Sequence, residues 1–151
     1  MHSRGNRFAK IFFIVMIAAC YLAGCGGTLF SHKGRKVTQK DLMVLLKDGN
    51  QQGLWKNSEL VITYQYQMTG ETLKLDGTVE LAGTNKYFNH LTVYLLFLDD
   101  QAVVVEDALI YSAGNNRPVL LSSKSFGKTI PIPERARTIS FAYDLTPVLV
   151  K

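Results

Sequence analysis

The chain has 151 residues, 47% of them apolar and 19% charged, which is enough for one ordinary globular domain and too few for two. Its formal charge of +5 points toward acidic partners, but Arg4, Arg7 and Lys10 stand near the start with no acidic residue beside them. Without residues 1–24 the balance is 14 basic against 12 acidic, or +2, which lacks the excess that a phosphate-binding face requires and argues against nucleic acid.

MHSRGNRFAK opens the chain with a polar, positive stretch, and IFFIVMIAACYLAG follows as about fourteen mostly apolar residues. At ~1.5 Å per helical residue that run covers about 21 Å, short of the ~30 Å hydrocarbon core of a bilayer. The layout is therefore that of a cleaved export signal. Leu22-Ala23-Gly24-Cys25 closes the run and resembles the lipobox of bacterial lipoproteins: a leucine, two small residues, then cysteine.

That resemblance implies a diacylglyceryl group on the Cys25 sulfur, cleavage just before it, and acylation of the new amino terminus. Residues 1–24 then leave as a signal peptide. One acyl chain anchors marginally, whereas two or three hold firmly. Cys20 departs with the signal, so the mature chain keeps no thiol for an internal disulfide or a metal. In enterobacterial lipoproteins an aspartate after the cysteine retains the protein in the inner membrane. Here Gly26 follows, which implies the outer membrane.

GGTLFSHKGRKV carries three glycines and no sustained periodicity, so residues 25–37 are expected to be a flexible tether. Extended at ~3.3 Å per residue, the thirteen residues from Cys25 to Thr38 would reach about 43 Å. Thr38-Gln39-Lys40-Asp41 then forms a loose capping box, DLMVLLKD follows, and Gly49 supplies a stop. A short amphipathic helix is predicted over about 39–48, with Leu42, Leu45 and Leu46 on one face against the domain.

From Ser58 the period becomes two. In ELVITYQYQM, Leu60, Ile62, Tyr64, Tyr66 and Met68 alternate with Val61, Thr63, Gln65 and Gln67, the pattern of a half-buried strand, and Thr69-Gly70 marks its turn. Asp76-Gly77 is a strong hairpin signal. Pairing across it would oppose Leu75 to Thr78, Lys74 to Val79 and Leu73 to Glu80, mismatching apolar and polar partners throughout. The stretch is instead read as one strand with Leu73, Leu75, Gly77, Val79 and Leu81 on one side, Gly77 being a bulge or a point of close approach.

LTVYLLFL, residues 91–98, is apolar on both faces and belongs in the middle of a sheet or under another layer. After the turn at Asp99-Asp100-Gln101 come AVVVEDALIYS, VLLSSKSF, KTIPIP and RTISFAYD. Pro131 and Pro133 cannot donate to a ladder, so their segment is placed on an edge. Six or seven short strands and no helical pattern after residue 50 predict a mainly β domain over 38–151, an antiparallel β-sandwich, with a closed barrel as the alternative.

The run "LDGTVELAG…LTVYLLFLDDQAVVVEDA…FGKTIPIP…ISFAYD", residues 73–144, resembles the small immunoglobulin-like domains of bacterial surface lipoproteins, notably the FxLYD type. Those carry a strand ending near "YD" or "LD", a turn with glycine, then "kvv". Phe97-Leu98-Asp99-Asp100-Gln101 departs from that pattern, lacking both the tyrosine and the turn glycine. The resemblance implies an immunoglobulin-like accessory or binding module and assigns no catalytic residue.

Signals for chemistry are sparse. His90 offers none of the paired spacings of a metal site and reads as a turn residue. Asp99-Asp100 and Glu106-Asp107 match no calcium loop and suit turns. No metal, cofactor or catalytic residue is assigned, and there is no G-x-S-x-G, Walker loop or G-x-G-x-x-G. Trp55 and tyrosines 64, 66, 87, 94, 111 and 143 are expected to serve packing. The expectation is a non-enzymatic, lipid-anchored envelope lipoprotein that binds or scaffolds another envelope protein through a sheet edge or loop surface. The alternatives are a small periplasmic hydrolase using His90 with nearby carboxylates, and a carbohydrate-binding module with a row of exposed aromatics.

Overall fold

A computed structural model describes residues 31–39, 42–83, 87–114, 119–120 and 122–148. The signal segment and the lipobox, Leu22 to Cys25, lie outside the described residues. The chain divides into two compact units, Met1–Ser31 and His32–Lys151, and every strand belongs to the second. Among the described residues no helix is long and apolar enough to cross a membrane.

Among the described residues nine strands follow in order: β1 Val44–Leu45, β2 Gly49–Lys56, β3 Leu60–Thr69, β4 Thr72–Leu81, β5 Tyr87–Leu98, β6 Val104–Ala113, β7 Val119–Leu120, β8 Lys124–Pro131 and β9 Thr138–Pro147. They form two antiparallel sheets. One runs β2-β3-β4-β8; the other runs β1-β9-β5-β6, with β7 pairing the start of β5.

The alternation in β3 decides its orientation: Leu60, Ile62, Tyr64 and Tyr66 are buried while Thr63, Gln65 and Gln67 are exposed. β4 runs unbroken through Asp76-Gly77 and returns beside β3 from the turn after Thr69, burying Leu73, Leu75, Val79 and Leu81. A hairpin at Asp76-Gly77 would have put half of those leucines in water. Gly77 keeps the β3 and β8 registers without a shift, so it is a close approach and not a bulge. Its row across the sheet reads Gly53, Tyr64, Gly77, Phe126. A Cβ on Gly53 would strike the Tyr64 ring, and one on Gly77 would strike the Thr63 carbonyl and the Phe126 ring. Each aromatic thus covers the glycine beside it.

β5 lies between β9 and β6, and its two apolar faces serve two clusters. Leu91, Val93, Leu95 and Phe97 join the large core shared by both sheets, with Ile139 and Phe141 of β9 and the buried side chains of β3 and β4. Leu96 and Leu98 turn the other way into a smaller cluster with Val104, Tyr94 and Ala142, over which Val37 and Met43 pack. β8, which ends at Pro131, is the edge of its sheet, where a missing donor costs least.

The helix predicted over 39–48 is corrected at its described residues. Leu42 closes an i→i+3 turn on the Gln39 carbonyl, and Val44–Leu45 is strand, paired with Ile139 and Thr138. LMVLL fits both periods. As a strand it sends Leu42, Val44 and Leu46 to the main core, Met43 to the smaller cluster, and leaves Leu45 56% exposed. An isolated turn or two of helix is marginal in water, and pairing with β9 satisfies backbone groups that a helix would have withdrawn. β2, GNQQGLWK, was not anticipated as a strand; its two glycines and paired glutamines have low strand preference, and pairing along β3 overrides it. The VLLSSKSF and KTIPIP stretches divide elsewhere, into the short β7 and a β8 that runs through Gly127.

Candidate functional site

Three regions gather polar side chains. The first is where the chain enters the domain. His32 donates its backbone N–H to Asp107 Oδ2 at 2.9 Å, and its ring Nδ1 lies 3.0 Å from the same oxygen. The ring also packs on Tyr94, centroids 4.9 Å apart, and Lys33 pairs with Glu106 at 2.8 Å. From there the chain turns, Arg35 N–H donating to the His32 carbonyl, and runs past the first residue of β6 into the loop before it: Gly34 N–H donates to the Val104 carbonyl, Val104 N–H to the Arg35 carbonyl, and Val37 N–H to the Ala102 carbonyl. A flexible tether is expected over 25–37; residues 32–37 instead form a turn, with Gly34 at a φ of 79°, bonded to the start of β6 and to the loop before it.

Burial works to raise the Asp107 carboxyl, but the His32 N–H, the His32 ring and the Lys33 ammonium together hold it below the ordinary value. Asp99 is also held low. Val103 N–H bonds it most effectively, and Gln101 N–H and Arg135 add to this against the opposing effect of burial. Both carboxylates of the Asp99 and Asp107 pairs that face inward are therefore employed in fastening loops. Among the described residues no three His, Cys, Asp or Glu side chains come together as a metal site.

His90 is exposed at the start of β5, its Nε2 2.7 Å from Thr92 Oγ1, and its cross-strand neighbour on β9 is Thr146. The structure gives it a hydroxyl partner, not one of the carboxylates. Of the aromatics, Trp55, Tyr64 and Tyr66 are buried, Tyr94, Tyr111 and Tyr143 are partly buried, and Tyr87 is half exposed.

The second region is the outer face of the four-stranded sheet, where Gln52, Gln65, Gln67, Lys74 and Asp76 surround shallow depressions of about 490 and 730 Å³ above Gly53 and Gly77. The larger depression also reaches Tyr64 and Phe126, so this face is polar around an aromatic floor.

The third region is the edge of β9. β1 covers only its first two residues. The Arg137 carbonyl accepts from Leu46 N–H and Ile139 pairs with Val44, so the odd-numbered residues turn their backbone groups to this side. Phe141, Tyr143 and Leu145 continue that row, and none of them bonds a backbone group across it among the described residues. Beside them lies a groove of about 510 Å³, walled by Trp55 and Asn57 from the end of β2 and by Leu42 from the entering segment.

The groove is built in detail. Tyr143 Oη donates to Glu59 Oε2 at 2.6 Å and accepts from Asn57 Nδ2 at 3.0 Å. Asn57 Oδ1 in turn accepts from the Glu59 and Leu60 N–H groups, fixing the β2–β3 turn. Burial raises the Tyr143 hydroxyl, and its bond to Glu59 raises it further, so it stays protonated as a donor. Trp55 is 4% exposed, edge-on to Phe141 and Tyr143, and its Nε1–H is buried without a hydrogen-bond partner among the described residues. A buried donor left unpaired costs roughly 1–3 kcal/mol, a local cost of packing the indole against the two rings.

No family model matches the chain, and neither the curated proteins nor the solved structures provide a match.

Proposed function

We propose that the protein is a lipid-anchored lipoprotein of the cell envelope, an immunoglobulin-like β-sandwich that works without catalysis by adding a strand of another envelope protein to its β9 edge. The observation that carries this reading is the row Phe141, Tyr143, Leu145, unpaired among the described residues, beside a groove walled by Leu42, Trp55 and Asn57. Strand addition supplies main-chain hydrogen bonds for affinity and side-chain pockets for selectivity. The sandwich assignment is supported by the single core to which both sheets contribute.

The anchor is Cys25, at the end of the lipobox Leu22-Ala23-Gly24, and Gly26 favours the outer membrane. Six residues stand between Cys25 and His32, so seven steps of chain span at most about 23 Å at ~3.3 Å each. With residues 32–37 bonded to the start of β6 and the loop before it, the domain is held close to the bilayer rather than on the longer leash that the sequence alone suggested.

The test is pull-down from solubilised envelope with the intact protein and a Cys25→Ala form, alongside the mass of the mature amino terminus. A terminus at Cys25 bearing acyl mass, and a partner whose capture is lost when Tyr143→Pro removes the central outward N–H, are the expected results. An unmodified terminus in the aqueous phase of a detergent split overturns the anchoring, and unchanged capture by the proline variant overturns the edge.

A further inference from the structure

We infer that the β9 groove takes an extended peptide segment bearing a lysine or arginine, contributed by a different protein and not by a second copy of this chain. The inference rests on the strand-addition reading and names the chemistry of the occupant.

Geometry sets the length. The open row from Phe141 to Leu145 covers five residues, so it pairs with a segment of about five residues, roughly 17 Å of extended chain. Charge sets the composition. Glu59 and Asp144 line the groove, and no lysine, arginine or histidine is among the described residues that do. Tyr143 holds Glu59 through Oε2, and no bond to Oε1 is formed among the described residues.

Self-pairing meets the opposite condition. A two-fold arrangement of β9 on β9 would bring Glu59 and Asp144 toward their own counterparts, and like charges set against one another across strands are destabilising. A basic side chain converts the same two carboxylates into partners.

Trp55 is the sole tryptophan, so its fluorescence reports the groove directly. The probes are ten-residue peptides of alternating threonine and valine, with lysine, glutamine or glutamate at two central positions, titrated into the full chain in detergent. The lysine peptide is expected to shift Trp55 emission and to bind about fivefold more tightly than the glutamine peptide, the effect of two exposed ion pairs. Glu59→Gln with Asp144→Asn, which keeps the hydrogen-bonding groups, is expected to bring the two within about twofold, and N-methylation of alternate probe residues to abolish binding.

Equal binding of all three peptides to the unaltered protein, with N-methylation still blocking it, overturns the basic-partner inference and leaves the edge reading standing. Failure of every peptide, or indifference to N-methylation, overturns the edge reading itself. An emission shift that follows protein concentration alone, with dimers in sedimentation, makes the occupant a second copy and overturns the inference.

Discussion

The outer faces of the two sheets meet their surroundings in opposite ways. On the four-stranded sheet, Thr63, Gln65 and Gln67 of β3 stand exposed opposite Lys74 and Asp76 of β4, and nothing from the described chain covers them. On the five-stranded sheet, Leu96 and Leu98 of β5 are buried, and the entering segment crosses over them with Val37 and Met43. A strand with one apolar face is complete once two sheets meet, while a strand with two apolar faces needs a third layer. The chain supplies that layer from the residues that follow its proposed anchor, so the cover and the tether are one segment.

The largest effect that tests this contrast comes from pairing an inner substitution with an outer polar one. Phe97→Ala removes a ring that is fully buried in the shared core and is expected to cost about 3–5 kcal/mol. Gln65→Ala on the bare face should stay within about 0.5 kcal/mol. Denaturant unfolding of the two variants measures both, and a similar cost for each would mean that the polar face is packed against something.

The next largest test concerns the covered face. Leu98→Ala is expected to cost about 2–3 kcal/mol even though Leu98 points away from the main core, because it is 0% exposed beneath Val37 and Met43. A loss below about 0.5 kcal/mol, the range of surface positions, would show that the segment lies on β5 without packing. Hydrogen exchange at the Gly34 and Val37 amides should accelerate in the same variant, since their bonds to Val104 and Ala102 depend on that seat.

This contrast also marks how far the sequence could be read. The strict alternation in β3, the mismatch test at Asp76-Gly77 and the doubly apolar β5 each carry a pattern that only one arrangement satisfies, and the two sheets follow from them. β1 and β2 were illegible for a different reason: LMVLL suits helix and strand alike, and GNQQGLWK suits neither, so pairing with β9 and β3 decided both. The β9 groove lay deeper still. RTISFAYD reads plainly as a strand, but which of its edges stays open depends on β1 stopping at Leu45. Trp55 was visible as an aromatic and not as an unpaired donor, which is a property of its surroundings alone.

A smaller effect should appear in the pH dependence of the cover. The folded-state acidities of Asp107 and Asp99 are both depressed below the ordinary carboxylate value. Groups shifted this way contribute stability that is present above the unfolded value of about 3.9 and is lost as pH falls through the folded value. Acidification below about pH 4 is therefore expected to release residues 32–37 before the inner strands, seen as early exchange at Gly34 and Val37. Asp107→Asn should weaken the cover by about 1 kcal/mol at neutral pH and flatten this acid limb. Simultaneous loss of the whole domain would place the acid-sensitive step elsewhere.

The smallest expected effect lies in the turn that receives the cover. Ala102 has a φ of 62°, and it stands in the β5–β6 turn. Its carbonyl accepts the last of the backbone bonds that hold the segment, from Val37. A left-handed alanine pays roughly 1–2 kcal/mol in crowding between Cβ and the backbone, and glycine relieves this while adding about 0.4–1 kcal/mol of unfolded-chain entropy. Ala102→Gly should therefore stabilise the domain by about 0.5–1 kcal/mol and raise its melting temperature by about 2–4 °C. The outcome separates two accounts of the turn. A gain in stability with unchanged exchange at Val37 means that Asp99, bonded to the Gln101 and Val103 N–H groups, already fixes the loop and alanine is merely strained within it. A loss of stability would mean that the alanine side chain is itself part of the seat for the cover, and the contrast between the two faces would then extend to the turn that joins β5 to β6.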